Sequence, residues 1–177
     1  MATADQPIGQ FLSSLAARTP APGGGASAAV VAAIGCATGA MAARYTTGPK
    51  WADREAEATA LADHLDAEAH ALATAADDDA AAYSAVQVAR KTKDAAAIAT
   101  AEATALRVPA ALIRRCAEAA TALRLFRPRC NPHLVSDVDA GLALLAGAAN
   151  AAWATLLINQ PPEDLKTAAA ADLARCC

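Results

Sequence analysis

Charged positions cluster in the middle of this chain, while two stretches, residues 19–43 and 140–162, carry no charge at all. Nowhere does the sequence offer a run of Val, Ile, Thr and aromatic residues of the kind that strands favour, whereas Ala, the best helix former, occurs almost everywhere. The pattern therefore predicts an all-α domain. A short helix over 8–17 should stop at a break over 19–25, where two prolines remove donors and three glycines remove Cβ constraints. A second helix is expected over 26–46, ended by Gly48-Pro49. A third, over 53–88, should carry its charges along one side. After a turn over 91–93, a fourth helix over 94–125 contains Pro109 and should kink there. A loop over 127–133, with Pro128 and Pro132, leads into a fifth helix, Val135–Ile158, which Pro161-Pro162 ends. The remainder, 163–177, reads as a terminal helix with weak anchoring. No repeat of solenoid period occurs, so residues 1–177 read as one domain, a bundle of five to six helices.

Composition narrows the class. Of 177 residues, 56 are alanine and only six are aromatic. The length suits one domain, and a net charge of −3 without basic clusters argues against a nucleic-acid surface. Glycine is sparse and aperiodic, and five scattered cysteines form no bridge framework, so collagen, disorder and disulfide scaffolds are excluded. Both uncharged stretches are long enough to span a bilayer. However, the first is mostly Ala, Gly, Ser and Thr, which gain little on transfer to hydrocarbon, and the second contains Asn150, Asn159, Gln160 and a proline pair. Neither is flanked asymmetrically by Lys and Arg. They are expected to be helices buried on all sides in a soluble assembly. The N-terminal residues lack the basic-then-apolar pattern of a signal peptide, so a cytoplasmic location is expected.

An alanine-rich bundle brings helix axes close together but buries little area per side chain, since a methyl contributes about 0.8 kcal/mol, far less than a leucine side chain. Burial between subunits is the remedy, and the chain is expected to form a homodimer through its small-residue helices.

Three constellations stand out. In Thr19-Pro-Ala-Pro-Gly-Gly-Gly-Ala26, a rigid, donor-poor turn becomes a Gly-rich helix entry. Its free N–H groups suit a carboxylate or phosphate; equally, Gly23, Gly24 and Gly25 can serve simply to let helices cross closely. No Gly-Lys-Ser/Thr follows, so this is not a Walker loop. In Asp77-Asp78-Asp79-Ala-Ala-Ala-Tyr83, three consecutive carboxylates point about 100° apart on a helix, so at least one should lie nearer the interior. Asp79 and Tyr83 share a face as an i, i+4 pair. A partly dry carboxylate there has its pKa raised and can transfer protons; the alternative is a solvated acidic patch. In Asn131-Pro-His-Leu-Val-Ser136-Asp137, Ser136 or Asp137 can cap the fifth helix, or the polar groups can wall a site for a polar heterocycle.

In this order and spacing, the three constellations resemble the cyclodeaminase/cyclohydrolase family of folate enzymes. The matching elements are Phe11-Leu12 before Thr19-Pro-Ala-Pro-Gly-Gly-Gly-Ala-Ser27, Thr47-Gly48-Pro-Lys50, Asp79-Ala-Ala-Ala-Tyr83, Val108-Pro109 with Cys116, Asn131 with Ser136-Asp137, and Ile158-Asn159, over residues 7–165. The Pro-x-Pro-Gly-Gly-Gly element is the most specific. The resemblance implies an all-α homodimer acting on a one-carbon tetrahydrofolate, mono- or polyglutamylated, with its site close to the subunit interface. It makes Asp79 the leading catalytic carboxylate and Asp137 the second. Lys50 and Arg44 would face the glutamate tail, Gly23, Gly24 and Gly25 would offer backbone donors, Tyr83 would neighbour Asp79, and Asn131, Ser136 and Asn159 would address the pterin or fix Asp137. No cofactor beyond the tetrahydrofolate substrate is implied. Hydrolysis of a methenyl bridge, ammonia-releasing cyclodeamination and a silent helical scaffold are the functions to be distinguished. Two places depart from the family pattern, Asp139-Ala140-Gly141 and Thr155, both expected near the pocket.

The remaining residues read more plainly. His64 and His70 are poorly spaced for one metal ion and should be solvated. Cys36 and Cys116 should be core, Cys130 a loop thiol, and the adjacent Cys176-Cys177 the end of a frayed helix; no metal site is expected.

Overall fold

The structure is a computed structural model describing residues 2–176. Its six α-helices are α1 (Ile8–Leu15), α2 (Gly24–Arg44), α3 (Glu55–Thr92), α4 (Ala95–Phe126), α5 (Val135–Ile158) and α6 (Glu163–Ala174), and no strand occurs among the described residues. Short 3-10 turns at Thr3–Asp5, Pro49–Trp51, Arg127–Arg129 and Pro132–Leu134 occupy the connections. The all-α expectation is met, and α5 has the limits its sequence predicted.

The boundaries that moved did so for local reasons. Helix α2 begins at Gly24, inside the glycine triplet, because first-turn N–H groups need no intrahelical partner and Gly23 already accepts from the Ser27 amide. Helix α3 runs on to Thr92, where Lys93 stops it in the left-handed region at φ 60°. The turn to α4 is thus shorter than expected. Asp94 then caps α4, its carboxylate accepting from the amides of Ala96 and Ala97. Pro109 lies buried within α4; having no N–H, it leaves the carbonyl of Ala105 without its usual partner one turn back.

Helices α2 to α5 form an up-down-up-down bundle. Gly25 faces Asp79 of α3 near one end, while Gly39 faces Leu65 near the other, so α2 and α3 are antiparallel. Helix α5 returns along α2's other side, with Thr155 against Gly24 and Leu145 against Gly35. At the α2–α5 crossing, a Cβ on Gly141 would lie 3.0 Å from the carbonyl oxygen of Gly35. Small residues therefore bring these backbones together within one chain. Leu65, Leu72, Ile113, Leu123, Leu145 and Leu156 fill the remaining centre.

Within one chain the uncharged helices keep open faces: α2 exposes Ile34 and Met41, and α5 exposes Ala140, Ala143, Gly147, Ala151 and Ala154. By length and composition Gly24–Arg44, Ala95–Arg129 and Pro132–Ile158 could each cross a membrane. The C-terminal segment is anchored rather than frayed, because Ala169 and Cys176 are buried and the Arg124 guanidinium donates to the carbonyls of Arg175 and Cys176. Cys130 lies in the loop, as expected, and is buried there against the Thr46 hydroxyl. Cys177 lies outside the described residues.

Candidate active site

The acidic triplet divides into three environments, as residues 100° apart on a helix must. Asp77 holds the N-terminal segment, accepting from the Thr3 hydroxyl at 2.6 Å and from its amide. Asp78 points outward. Asp79 is half-buried and turns onto the N-terminus of α2, where its Oδ2 accepts the Ala26 amide at 3.1 Å. This carboxylate is an N-cap supplied by another helix, since Gly23 has no side chain to cap with. It also explains the third glycine: a Cβ on Gly25 would sit 2.1 Å from Asp79 Oδ1. Close approach and a bound carboxylate, the two readings of the glycine turn, are one feature here.

Burial raises the pKa of Asp79 above the ordinary 3.8, and the Ala26 amide opposes part of that rise. The carboxylate opens onto a cleft of about 330 Å³ between α2, α3, α4 and α5. Its walls include Gly23, Gly24 and Gly25, then Tyr83, Val86, Gln87 and Arg90 of α3, Pro109 of α4, and Thr155 and Asn159 of α5. A second, more apolar cavity, bordered by Leu72, Val108 and Leu112, meets the first at Gly25, Asp79 and Pro109. Asp79 thus stands in the wall between two spaces, facing apolar and polar surface at once.

The structure brings Asp79, Tyr83, Asn159 and the three glycines together. It does not bring the other sequence candidates to them. Arg44 pairs with Asp66, Lys50 stacks on Trp51, and Asn131 bridges the loops by donating to the Tyr45 carbonyl and receiving the His133 amide. These groups, with Ser136 and Asp137, sit at the opposite end of the bundle, about 30 Å away along the 21 residues of α2. Neither Ser136 nor Asp137 caps α5; both lie inside its first turn, and the Ser136 hydroxyl leans on Asp137 at 3.4 Å. The Asp139-Ala140-Gly141 departure belongs to that end too: Asp139 pairs with Arg127 and Gly141 serves the α2–α5 crossing. Only Thr155 lies at the cleft, its methyl against Gly24.

Sequence reasoning missed Val86, Gln87 and Arg90. The signal was present: positions 79, 83, 86 and 90 follow the i, i+4, i+7, i+11 stripe of one helix face. Cys36 and Cys116 are inert by contrast, since burial pushes their thiols up to about 12. Among the described residues no three His, Cys, Asp or Glu side chains converge as metal ligands.

Residues 7–173 match the model of the formiminotransferase-cyclodeaminase family. The chain belongs to this family. It is 32% identical over 162 residues to methenyltetrahydrofolate cyclohydrolase of Methylorubrum extorquens, covering 86% of this chain and 77% of that one. The fold superposes on formiminotetrahydrofolate cyclodeaminase from Thermotoga maritima with a TM-score of 0.88 at 26% identity, covering 97% of this chain and 88% of the other. The chain is accordingly an enzyme of the folate cyclohydrolase/cyclodeaminase kind, and the Asp79 cleft is the place in it where a carboxylate, backbone amides and apolar walls converge.

Proposed function

We propose that this enzyme hydrolyses the methenyl bridge of methenyltetrahydrofolate to formyltetrahydrofolate, with Asp79 moving the protons. The observation that carries this reading is the half-buried Asp79 carboxylate, raised in pKa and fixed on the Ala26 amide at the wall of the cleft. The bridge carbon is part of an amidinium cation and is already electrophilic. Ionised Asp79 takes a proton from water as its oxygen bonds to that carbon, giving a neutral tetrahedral adduct. Protonated Asp79 then gives the proton to the departing ring nitrogen as the carbon–nitrogen bond breaks, and the hydroxyl proton leaves to solvent. Positioning of water and cation supplies the remaining acceleration. The cationic substrate favours an ionised carboxylate, so its arrival lowers the pKa that burial has raised.

A second reading is formiminotetrahydrofolate cyclodeamination, favoured by the likeness to the Thermotoga maritima enzyme. There the neighbouring nitrogen attacks the formimino carbon, ammonia leaves, and Asp79 relays the proton between them. Following loss of the methenyl chromophore with wild type and Asp79→Asn, at a pH where spontaneous hydrolysis is slow, tests the first reading. Ammonia release from formiminotetrahydrofolate tests the second. Equal rates for wild type and variant in both assays would remove Asp79 from the mechanism.

The reading includes a homodimer, in the cytoplasm rather than in a bilayer, joined through the open small-residue face of α5. Position 148 lies midway between Asp137 and Asn159, eleven residues from each. An antiparallel two-fold contact across the open face at that level of the helix, beside Gly147 and Ala151, sets the Ser136-Asp137 end of one subunit beside the Asn159 end of the other, the arrangement in which Asp137, Asn131 and Lys50 of one subunit can serve the Asp79 cleft of the other. Alanine-rich helices gain far more from such packing than from transfer into hydrocarbon.

A further inference from the structure

We infer that Arg90 anchors the glutamate of the folate; this rests on the folate reading above. Asp79, Tyr83, Val86 and Arg90 form one stripe along α3, so a carboxylate, a phenol, an apolar side chain and a guanidinium follow one another over about 16 Å. The cleft does not end at Val86. Val86, Arg90, Ala105, Ile158 and Asn159 also line an adjoining polar space that reaches Glu102 and Gln160. A reduced folate presents its parts in the same order: the one-carbon centre, an aromatic ring, then an anionic glutamate. With the bridge carbon at Asp79, the ring runs past Val86 and Ile158, and the carboxylates arrive at Arg90.

Arg90 is equipped for this. Its Nη2 donates to Glu102 Oε1 at 2.8 Å, a contact that uses one of five N–H groups and holds the side chain out over the polar space. The remaining fork suits a carboxylate bidentately. Arg44 and Lys50, the tail residues implied by family resemblance, lie at the other end of the chain's bundle, on Asp66 and Trp51. Among the described residues Arg90 is the cation lining the polar cleft, while Arg107 and Arg115 border the apolar cavity on the other side of Asp79.

The test compares two substrates, methenyltetrahydrofolate and its truncated pteroate analogue, which lacks the glutamate, with wild type, Arg90→Gln, Arg90→Lys and Glu102→Gln. Wild type should prefer the folate in kcat/KM. Arg90→Gln should reduce that preference about fivefold, mostly through KM, as expected for a half-exposed charged contact; Arg90→Lys should restore part of it. Glu102→Gln breaks the same ion pair but keeps the guanidinium, so the preference should persist or grow. Circular dichroism establishes that each variant is folded. An unchanged preference in Arg90→Gln, or an equal loss in Glu102→Gln, would overturn the assignment while leaving the cyclohydrolase reading intact. If wild type processes neither substrate, the functional reading itself fails and Arg90 loses its role with it.

Discussion

Replacing Gly25 by alanine tests the geometry on which the whole site depends. The new Cβ would lie 2.1 Å from Asp79 Oδ1 and 2.5 Å from its Cγ, too close for any rearrangement short of expelling the carboxylate. Overpacking of this kind costs about 1–3 kcal/mol, and losing the Ala26 amide bond adds about 1 kcal/mol. Alanine's higher helix propensity returns about 1 kcal/mol. The net loss is therefore about 1–3 kcal/mol, a fall in Tm of roughly 5 °C for a chain of this size. Activity should fall further, by about a hundredfold, because a displaced carboxylate no longer reaches the reacting atoms. Thermal unfolding and the methenyl hydrolysis assay measure the two effects. Combining Gly25→Ala with Asp79→Ala removes the clash, so the double variant should be more stable than Gly25→Ala alone by about 2 kcal/mol, a coupling that only contacting residues show. Strict additivity in that cycle, or wild-type turnover by Gly25→Ala, would refute the argument.

Four further outcomes are expected. The kcat/KM profile should fall on the acid side with an apparent pKa above 3.8, since Asp79 must be ionised to accept a proton; for stability the sign is opposite, because a group with a raised folded-state pKa contributes its stability below the unfolded value and loses it as pH rises through the raised one. Asp79→Asn should thus lower turnover sharply yet match or exceed the wild-type Tm at pH 7, the gap narrowing toward about pH 4, and a variant that melts well below wild type at pH 7 would contradict this. Gly147→Arg, on the open face of α5 where a side chain meets nothing within the chain, should leave the helix folded but give monomers by light scattering and sedimentation; retained dimers would place the contact elsewhere. Thr46→Val should cost about 1–3 kcal/mol in urea unfolding, because Thr46 is fully buried and its hydroxyl receives the Asn131 amide that valine would leave unpaired.

Element type was legible in the chain because helix propensity and punctuation act locally: Ala throughout, Pro161-Pro162 as a stop, and all of α5 could be read without any knowledge of neighbours. The family motifs were legible as well, and with them the importance of the glycine triplet and Asp79. Which polar residues share a site was not. Asp79 lies inside α3 and Asp137 in the first turn of α5, and the up-down-up-down path puts them at opposite ends of the bundle, a separation set by helix length and by antiparallel packing that no local spacing encodes. The same holds for Gly25, whose missing Cβ makes room for a side chain 54 positions away, and for Cys130 and Arg124, whose partners come from distant segments. That helices form, and where most of them end, follows from the chain's local order, because those free energies are summed over adjacent residues. That one carboxylate of three turns inward onto a foreign helix terminus follows from packing, because it depends on which backbones approach closely enough to meet it.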